Sequence, residues 1–222
     1  MPRAVSIVWN LKTYGLRNGA RWLGRAVSYR LWLHLTVPGR RERLFDKLHN
    51  ADTEGYLSEE ELALPKGSIH YAPVRPRRLH AAICKLLINP SEFTFIDVGC
   101  GKGRALLLAE ELGFARIVGV EYSQELSAAA RRNAPSAEVL NIDAAIYRFP
   151  AEPSVVFLYN PFWSPTIDIV AENLNRSLKD SSRELYVVYL NPFCESVFLC
   201  QSNLELLCRS ENDFALFRSR PR

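Results

Sequence analysis

Five short runs of nearly unbroken apolar residues alternate with stretches of helical spacing, and that alternation limits the fold of this chain more than any other feature. The runs are FTFIDV at 93–98, RIVGVE at 116–121, AEVLN at 137–141, SVVFLY at 154–159 and ELYVVYL at 184–190. Strands this apolar have no face to give to solvent, so they belong in a parallel sheet covered by helices above and below. The spacing predicts those helices. Leu79, Ala82, Ile83, Leu86 and Leu87 form one stripe, residues 103–112 make a second helix stopped by Gly113, and a third opens at Ser123. Ile167, Val170, Ala171, Leu174 and Leu178 make a fourth stripe, with Ser164 as N-cap and Pro165 at the first helical position. LELLC and FALF, on either side of RSEND, read as a closing antiparallel pair. In sheets of this kind ligands bind beyond the carboxyl ends of the strands, so strand ends are the candidate site residues.

The first strand runs into FIDVGCGKGR at 95–104. Gly99, Gly101 and Gly103 make a turn whose backbone can approach a ligand closely, because glycine tolerates positive φ and has no side chain in the way. The second strand ends in Glu121, 18 residues after Gly103, close to the ~20 expected of an acid that binds ribose hydroxyls. An unpaired carboxylate there suits two adjacent hydroxyl donors. Nicotinamide dinucleotides and S-adenosylmethionine share this layout. The spacing is G-x-G-x-G, with Arg104 where a dinucleotide loop carries its third glycine, and Asp97 repels a diphosphate while accepting an ammonium. S-adenosylmethionine is favoured, and a nicotinamide reductase is the weaker alternative.

From about residue 70 to 218 the chain resembles the seven-strand, class I S-adenosylmethionine-dependent methyltransferases, on FIDVGCGKGR, VGVEYS and LNIDA together. The resemblance implies an α/β, Rossmann-like sheet of order 3-2-1-4-5-7-6, with strand 7 antiparallel and helices on both faces. It implies that Asp97, Gly99, Gly101 and Gly103 line the methionine part of the cofactor. Glu121 would hold the ribose, Asp143 and Ala144 the adenine edge, and Tyr122 the adenine face. Tyr71-Ala-Pro73 stands where relatives place a Tyr-x-Pro that folds over the cofactor, with Val74 where a Thr or Ser often follows.

Asn-Pro-Phe occurs twice, in LYNPF at 158–162 and YLNPF at 189–193, each closing an apolar run. The first copy resembles the Asn/Asp-Pro-Pro-aromatic motif of N-methyltransferases of this fold, in which the Asn side-chain oxygen and the following backbone carbonyl accept hydrogen bonds from the target nitrogen. The resemblance implies catalytic roles for Asn160, Pro161 and Phe162, with Asn160 also touching the cofactor, although Phe162 stands where a second proline would be. Proline fixes φ and offers no competing N–H. Asn191 is the matching candidate at the next strand end. Both ends are expected to point at one pocket, shaped by Tyr159 and Tyr189 and their stacking against the sulfonium. The alternative for Asn191-Pro192-Phe193 is a strand terminator with Phe193 in the core. The layout is similar to bacterial proteins with a YNPF signature and, more distantly, to histone-lysine methyltransferases without a SET domain. That implies a protein lysine or another amine as the methyl acceptor.

Charge divides the chain of 222 residues unevenly. Residues 1–41 hold eight Lys or Arg and no acid, so the remainder carries −4 within a total of +4. A basic, mostly helical extension over 1–66 is expected ahead of a methyltransferase domain over 67–222. Residues 20–36 suit a basic amphipathic helix, but no apolar run there reaches the ~18 residues of a spanning helix, and no secretory cleavage pattern is present. Such a segment suits an anionic membrane surface or nucleic acid. A non-catalytic module that docks through it is therefore the alternative to an enzyme, and the intact Gly99, Gly101, Gly103 and Glu121 argue against such decay. Five cysteines without a C-x-x-C pair point to a reducing, cytoplasmic compartment, peripheral at a membrane if the basic segment docks there, and to no structural zinc. NADTEGYLSEEE at 50–61 mimics a calcium loop through Asn50, Asp52, Glu54, Gly55 and Glu61, yet Asn in the first position of a single loop weighs against calcium, and no metal is expected. The four histidines have no ligand spacing and read as solvated or capping residues.

Overall fold

A computed structural model describes residues 44–58, 60, 62, 68–210 and 213–220. The chain forms two compact units, Met1–Leu48 and His49–Arg222. In the first, residues 44–48 are described and are helical. The basic segment and its expected amphipathic helix lie outside the described residues.

The second unit is built on one seven-stranded sheet. Its strands are β1 (Thr94–Val98), β2 (Arg116–Glu121), β3 (Glu138–Asn141), β4 (Ser154–Tyr159), β5 (Leu185–Leu190), β6 (Leu204–Ser210) and β7 (Phe214–Ser219). They lie in the order β3-β2-β1-β4-β5-β7-β6. All neighbours are parallel except β7, which runs antiparallel to β5 and β6. This is the order that the resemblance implies. Four of the five apolar runs occupy the centre, where both faces are covered, while the remaining one, AEVLN, is the edge strand β3, in which only Val139 is buried. Every residue of β1 and β5 is buried, and each large apolar side chain so placed contributes about 1.5–3 kcal/mol. Asp97 sits level with Gly119 of β2 and Phe157 of β4, so these three strands finish side by side at their carboxyl ends.

Helices α1 (Pro76–Cys84), α2 (Arg104–Glu111), α3 (Gln124–Asn133), α4 (Thr166–Asp180) and the short α5 (Glu195–Leu199) surround the sheet. The stripe of α4, with Ile167, Val170, Ala171, Leu174 and Leu178, packs on the face that bears Ile96, Val98, Val156, Leu158 and Val187. Ser123 caps α3 as its spacing predicts, its hydroxyl oxygen accepting from the Leu126 N–H at 3.3 Å.

Two local expectations change. Leu87 does not continue the α1 stripe but is 92% exposed, at φ +56°. The helix closes at Lys85, whose N–H bonds back to the Ala82 carbonyl while the Leu86 N–H bonds to that of Ile83, and the chain then turns left-handed. At α4 the N-cap is Pro165 and the helix starts at Thr166, one residue later than the spacing predicts. Ser164 does not cap a backbone N–H; its hydroxyl donates to the Asp168 carboxylate instead.

Candidate active site

A cavity opens at the carboxyl ends of β1, β2 and β4, and residues 68–74 cross it as a strap that forms one wall. Asp97, Gly99, Gly101, Glu121, Tyr122, Asp143, Ala144, Asn160, Pro161 and Phe162 all line it, so most of the candidates converge there. Gly103 is the left-handed N-cap of α2 just behind the turn.

The glycine turn is required twice over. Gly99 and Gly101 have φ +87° and +56°, in the region that L-residues avoid. Each is also closely covered. A Cβ on Gly99 would lie 2.6 Å from Pro161 Cβ, and one on Gly101 would lie 2.3 Å from the Tyr71 ring. The turn therefore sits between the strap and the first Asn-Pro-Phe triplet.

Two carboxylates face this turn. Asp97 is only 3% exposed, and its oxygens accept no hydrogen bond from a described residue although they are not walled off by protein. Its carboxyl is held well above the usual range, by burial first and by the charge of Glu121 second. Glu121 is not the unpaired carboxylate that its strand-end position suggests. Its two oxygens accept from the Gly101 N–H at 2.9 Å and the Ser123 N–H at 2.8 Å, so it clamps the glycine turn. Burial raises its pKa, while those backbone donors and that of Tyr122 oppose the rise. A carboxylate offers about four acceptor positions, so room remains for ligand hydroxyls. Asn141 holds the end of β2 through the Glu121 and Tyr122 carbonyls. Asp143 caps the 3-10 turn Ala144–Ile146 by accepting from the Ala145 N–H at 2.8 Å.

The strap is pinned at Ile69 and at Tyr71. Leu57 and Tyr71 exchange backbone bonds of 3.2 and 2.8 Å, the Tyr71 hydroxyl donates to the Thr53 carbonyl at 2.6 Å, and the Ile69 N–H donates to the Pro161 carbonyl at 3.1 Å. Several of these residues had no signal in the sequence. Arg104, noticed only as a missing glycine, is buried on the cavity wall with Nε donating to Thr53 Oγ1 at 2.6 Å. His70, read as solvated, lines the cavity with its ring 4.5 Å from that of Tyr56. The calcium-like turn is engaged by a cation of the chain itself: Lys102 Nζ lies 2.8 Å from the Glu54 carbonyl and 3.5 Å from Asp52. Glu61 lies outside the described residues, among which no group of His, Cys, Asp or Glu could hold a metal ion.

The two Asn-Pro-Phe triplets share a backbone and differ in surroundings. Asn160 and Asn191 both have positive φ, +44° and +49°, a conformation that asparagine tolerates better than most residues. Each therefore turns the chain sharply off its strand. Only the first triplet reaches the cavity. Asn160 is 7% exposed there, and its Oδ1 accepts from the Tyr189 hydroxyl at 3.1 Å. Asn191, Pro192 and Phe193 do not line it. Asn191 Oδ1 instead accepts from Arg78 Nη2 at 2.9 Å, and Arg78 Nε donates to Asp213 at 2.6 Å. Phe193 is 71% exposed and stacks on Trp163 at 5.9 Å, so it is not in the core either. Tyr159 lines the cavity with the Arg78 guanidinium 5.7 Å above its ring. Tyr189 is wholly buried behind Asn160, out of reach of any sulfonium. The difference arises from sheet order, because β4 is next to β1 and β5 is one strand further out.

Residues 95–181 match the profile of a family described as a methyltransferase domain. Among solved structures, the chain is similar to Escherichia coli yhhF, a proposed methyltransferase, with a TM-score of 0.55 at 16% identity over 76% of this chain and 100% of that one. It is also similar to the PH0226 protein of Pyrococcus horikoshii OT3, with a TM-score of 0.51 at 18% identity over 66% of this chain and 90% of that one. The fold is that of a class I methyltransferase. That fold and the matched domain support S-adenosylmethionine as the cofactor. No curated protein matches the chain in sequence.

Proposed function

We propose that this methyltransferase moves a methyl group from S-adenosylmethionine to a nitrogen held at Asn160, with a protein lysine or another amine as the acceptor class. One observation carries the reading. Pro161 packs into the space left by the missing side chain of Gly99, so the cofactor turn and the first triplet are adjoining walls of one cavity. A donor and an acceptor of a methyl group must meet in just such a place.

The residues present fit the cofactor. A buried carboxylate that faces a cavity without a hydrogen-bond partner is costly unless a cation completes it, and Asp97 supplies that match for the ammonium of a methionine moiety. Glu121 would use its remaining lone pairs on the ribose hydroxyls, Asp143, Ala144 and Tyr122 would border the adenine, and Tyr71 covers the turn. When bound, S-adenosylmethionine supplies an electrophilic methyl on a positively charged sulfur. Asn160 Oδ1 keeps one lone pair beyond its bond to Tyr189, which accepts an N–H of the acceptor and aims the nitrogen lone pair. With the acceptor amine in its neutral form, Asn160 would hold its nitrogen toward the methyl that the bound cofactor supplies, and the proton then shed by the methylated nitrogen would pass to water. Orientation is the main contribution of the chain, and it is capable of lowering the barrier by several kcal/mol, with ~7–11 kcal/mol as the upper range.

Calorimetry with S-adenosylhomocysteine and NAD, and transfer of labelled methyl into an extract sorted into protein, nucleic-acid and small-molecule pools, test this reading. Tight S-adenosylhomocysteine binding, no NAD binding and label in the protein pool as methyl-nitrogen are expected. Tight NAD binding, or label on oxygen or carbon alone, overturns it.

A further inference from the structure

Tyr189 lies outside the cavity, yet its hydroxyl decides which edge of the Asn160 amide the cavity meets. The hydroxyl has one proton to give. It accepts from the Cys194 backbone N–H at 3.4 Å, and its proton has Asn160 Oδ1 as acceptor at 3.1 Å. If the amide were turned over, its N–H would point at an oxygen that already accepts, and the hydroxyl proton would lose its partner in a fully buried place. Burial also pushes the Tyr189 pKa upward, which favours the protonated hydroxyl. Asn160 Nδ2 bonds no described residue and is not enclosed by protein, so it is open to the cavity that Asn160 lines.

We infer that Tyr189 is a positioning residue that locks the Asn160 amide by occupying one Oδ1 lone pair, which leaves the other Oδ1 lone pair and the Nδ2 N–H for the cavity. The acceptor therefore meets one fixed N–H donor and one fixed lone pair. This rests on the reading that Asn160 holds the acceptor. The link also gives the second strand end a part in the site, since the Cys194 N–H that steadies the hydroxyl follows directly on Asn191-Pro192-Phe193.

Tyr189→Phe removes one oxygen and keeps the ring that packs edge-on against Phe198 at 5.7 Å. In the full ¹⁵N-labelled chain, the Asn160 side-chain NH₂ signals, assigned by their loss in Asn160→Asp, should shift and broaden in Tyr189→Phe. The melting temperature and the Kd for S-adenosylhomocysteine should stay close to wild type. Labelled methyl transfer into extract should fall about 10-fold, as expected of lost orientation. Unchanged Asn160 signals, or unchanged transfer by the variant, overturns the inference. Absence of transfer by the wild type overturns the proposed function instead. Should Tyr189→Phe not fold, the wild-type spectrum decides: a Tyr189 hydroxyl proton slow to exchange, with a cross-peak to the Asn160 amide, is expected, and its absence overturns the assignment.

Discussion

At Asp97, a buried carboxylate faces a second one at Glu121, and the pKa of each is raised, Asp97 by burial and by Glu121, Glu121 by burial. A carboxyl whose folded pKa lies above its unfolded value of ~3.9–4.3 holds its proton more tightly when folded. Its stabilising contribution is complete below that unfolded value and is lost as pH rises through the raised folded one. The ligand-free protein should therefore lose stability as pH rises above about 4 at these two positions. Asp97→Asn should flatten that slope and melt higher than wild type at pH 7, while binding of S-adenosylhomocysteine weakens by ~2 kcal/mol or more, because the ammonium loses its partner. Melts from pH 5 to 8 with paired calorimetry read both effects, and a lower melting temperature for the variant at pH 7 would count against the account. Glu121→Ala should cost ~1.5–3 kcal/mol of cofactor binding. Glu121→Gln should recover part of it by keeping one acceptor for the glycine turn. Asn160→Ala should leave cofactor affinity within a few-fold and slow transfer about 10²-fold. Asn191→Ala is the contrast. Its side chain serves Arg78, so the loss should be ~1 kcal/mol of stability rather than chemistry.

The elements that matter most for the site are the strap over residues 68–74 and helix α1. The strap leans on Gly101 through the Tyr71 ring. Gly101→Ala should push the ring away, speed amide exchange across 68–74 and abolish tight cofactor binding. Adding Tyr71→Ala should relieve the clash but not the left-handed strain of ~1–2 kcal/mol at φ +56°, so the double variant should recover strap protection only in part. Full additivity of the two changes would show that the ring and the turn are not coupled. Helix α1 is tied to the ends of β5 and β7 by Arg78, through Asn191, the Asp213 side chain and the Asp213 carbonyl. Arg78→Ala should cost roughly 1–3 kcal/mol in denaturant melts, while S-adenosylhomocysteine still binds.

For the whole molecule, the charge imbalance sets an expectation about surfaces. Residues 42–222 carry −4 and should be repelled by phosphate, so any attraction to anionic lipid or nucleic acid has to come from the +8 segment over 1–41. No helix among the described residues is long and apolar enough to cross a membrane. Deleting residues 1–41 should leave S-adenosylhomocysteine binding intact, since His49–Arg222 is a compact unit by itself. The deletion should abolish retention on anionic vesicles, an attraction screened over ~10 Å at 0.1 M salt. If the truncated chain no longer folds, the segment belongs to the core and the docking idea fails.

Features written within a few residues were legible in the sequence. Unbroken apolar runs demanded a covered parallel sheet, the spacing of Gly99, Gly101 and Gly103 demanded a close ligand turn, and Glu121 stood at the right interval beyond it. The two identical triplets were legible only as strand ends, because the left-handed asparagine that turns the chain is a local property and both copies have it. What each one faces is a property of sheet order, which puts β4 beside β1 and β5 beyond it. The contacts that complete the site span long stretches of chain: 29 residues from Asn160 to Tyr189, 51 from Thr53 to Arg104 and 113 from Arg78 to Asn191. No periodicity or spacing encodes such pairs, since each exists only once the sheet has brought its two ends together.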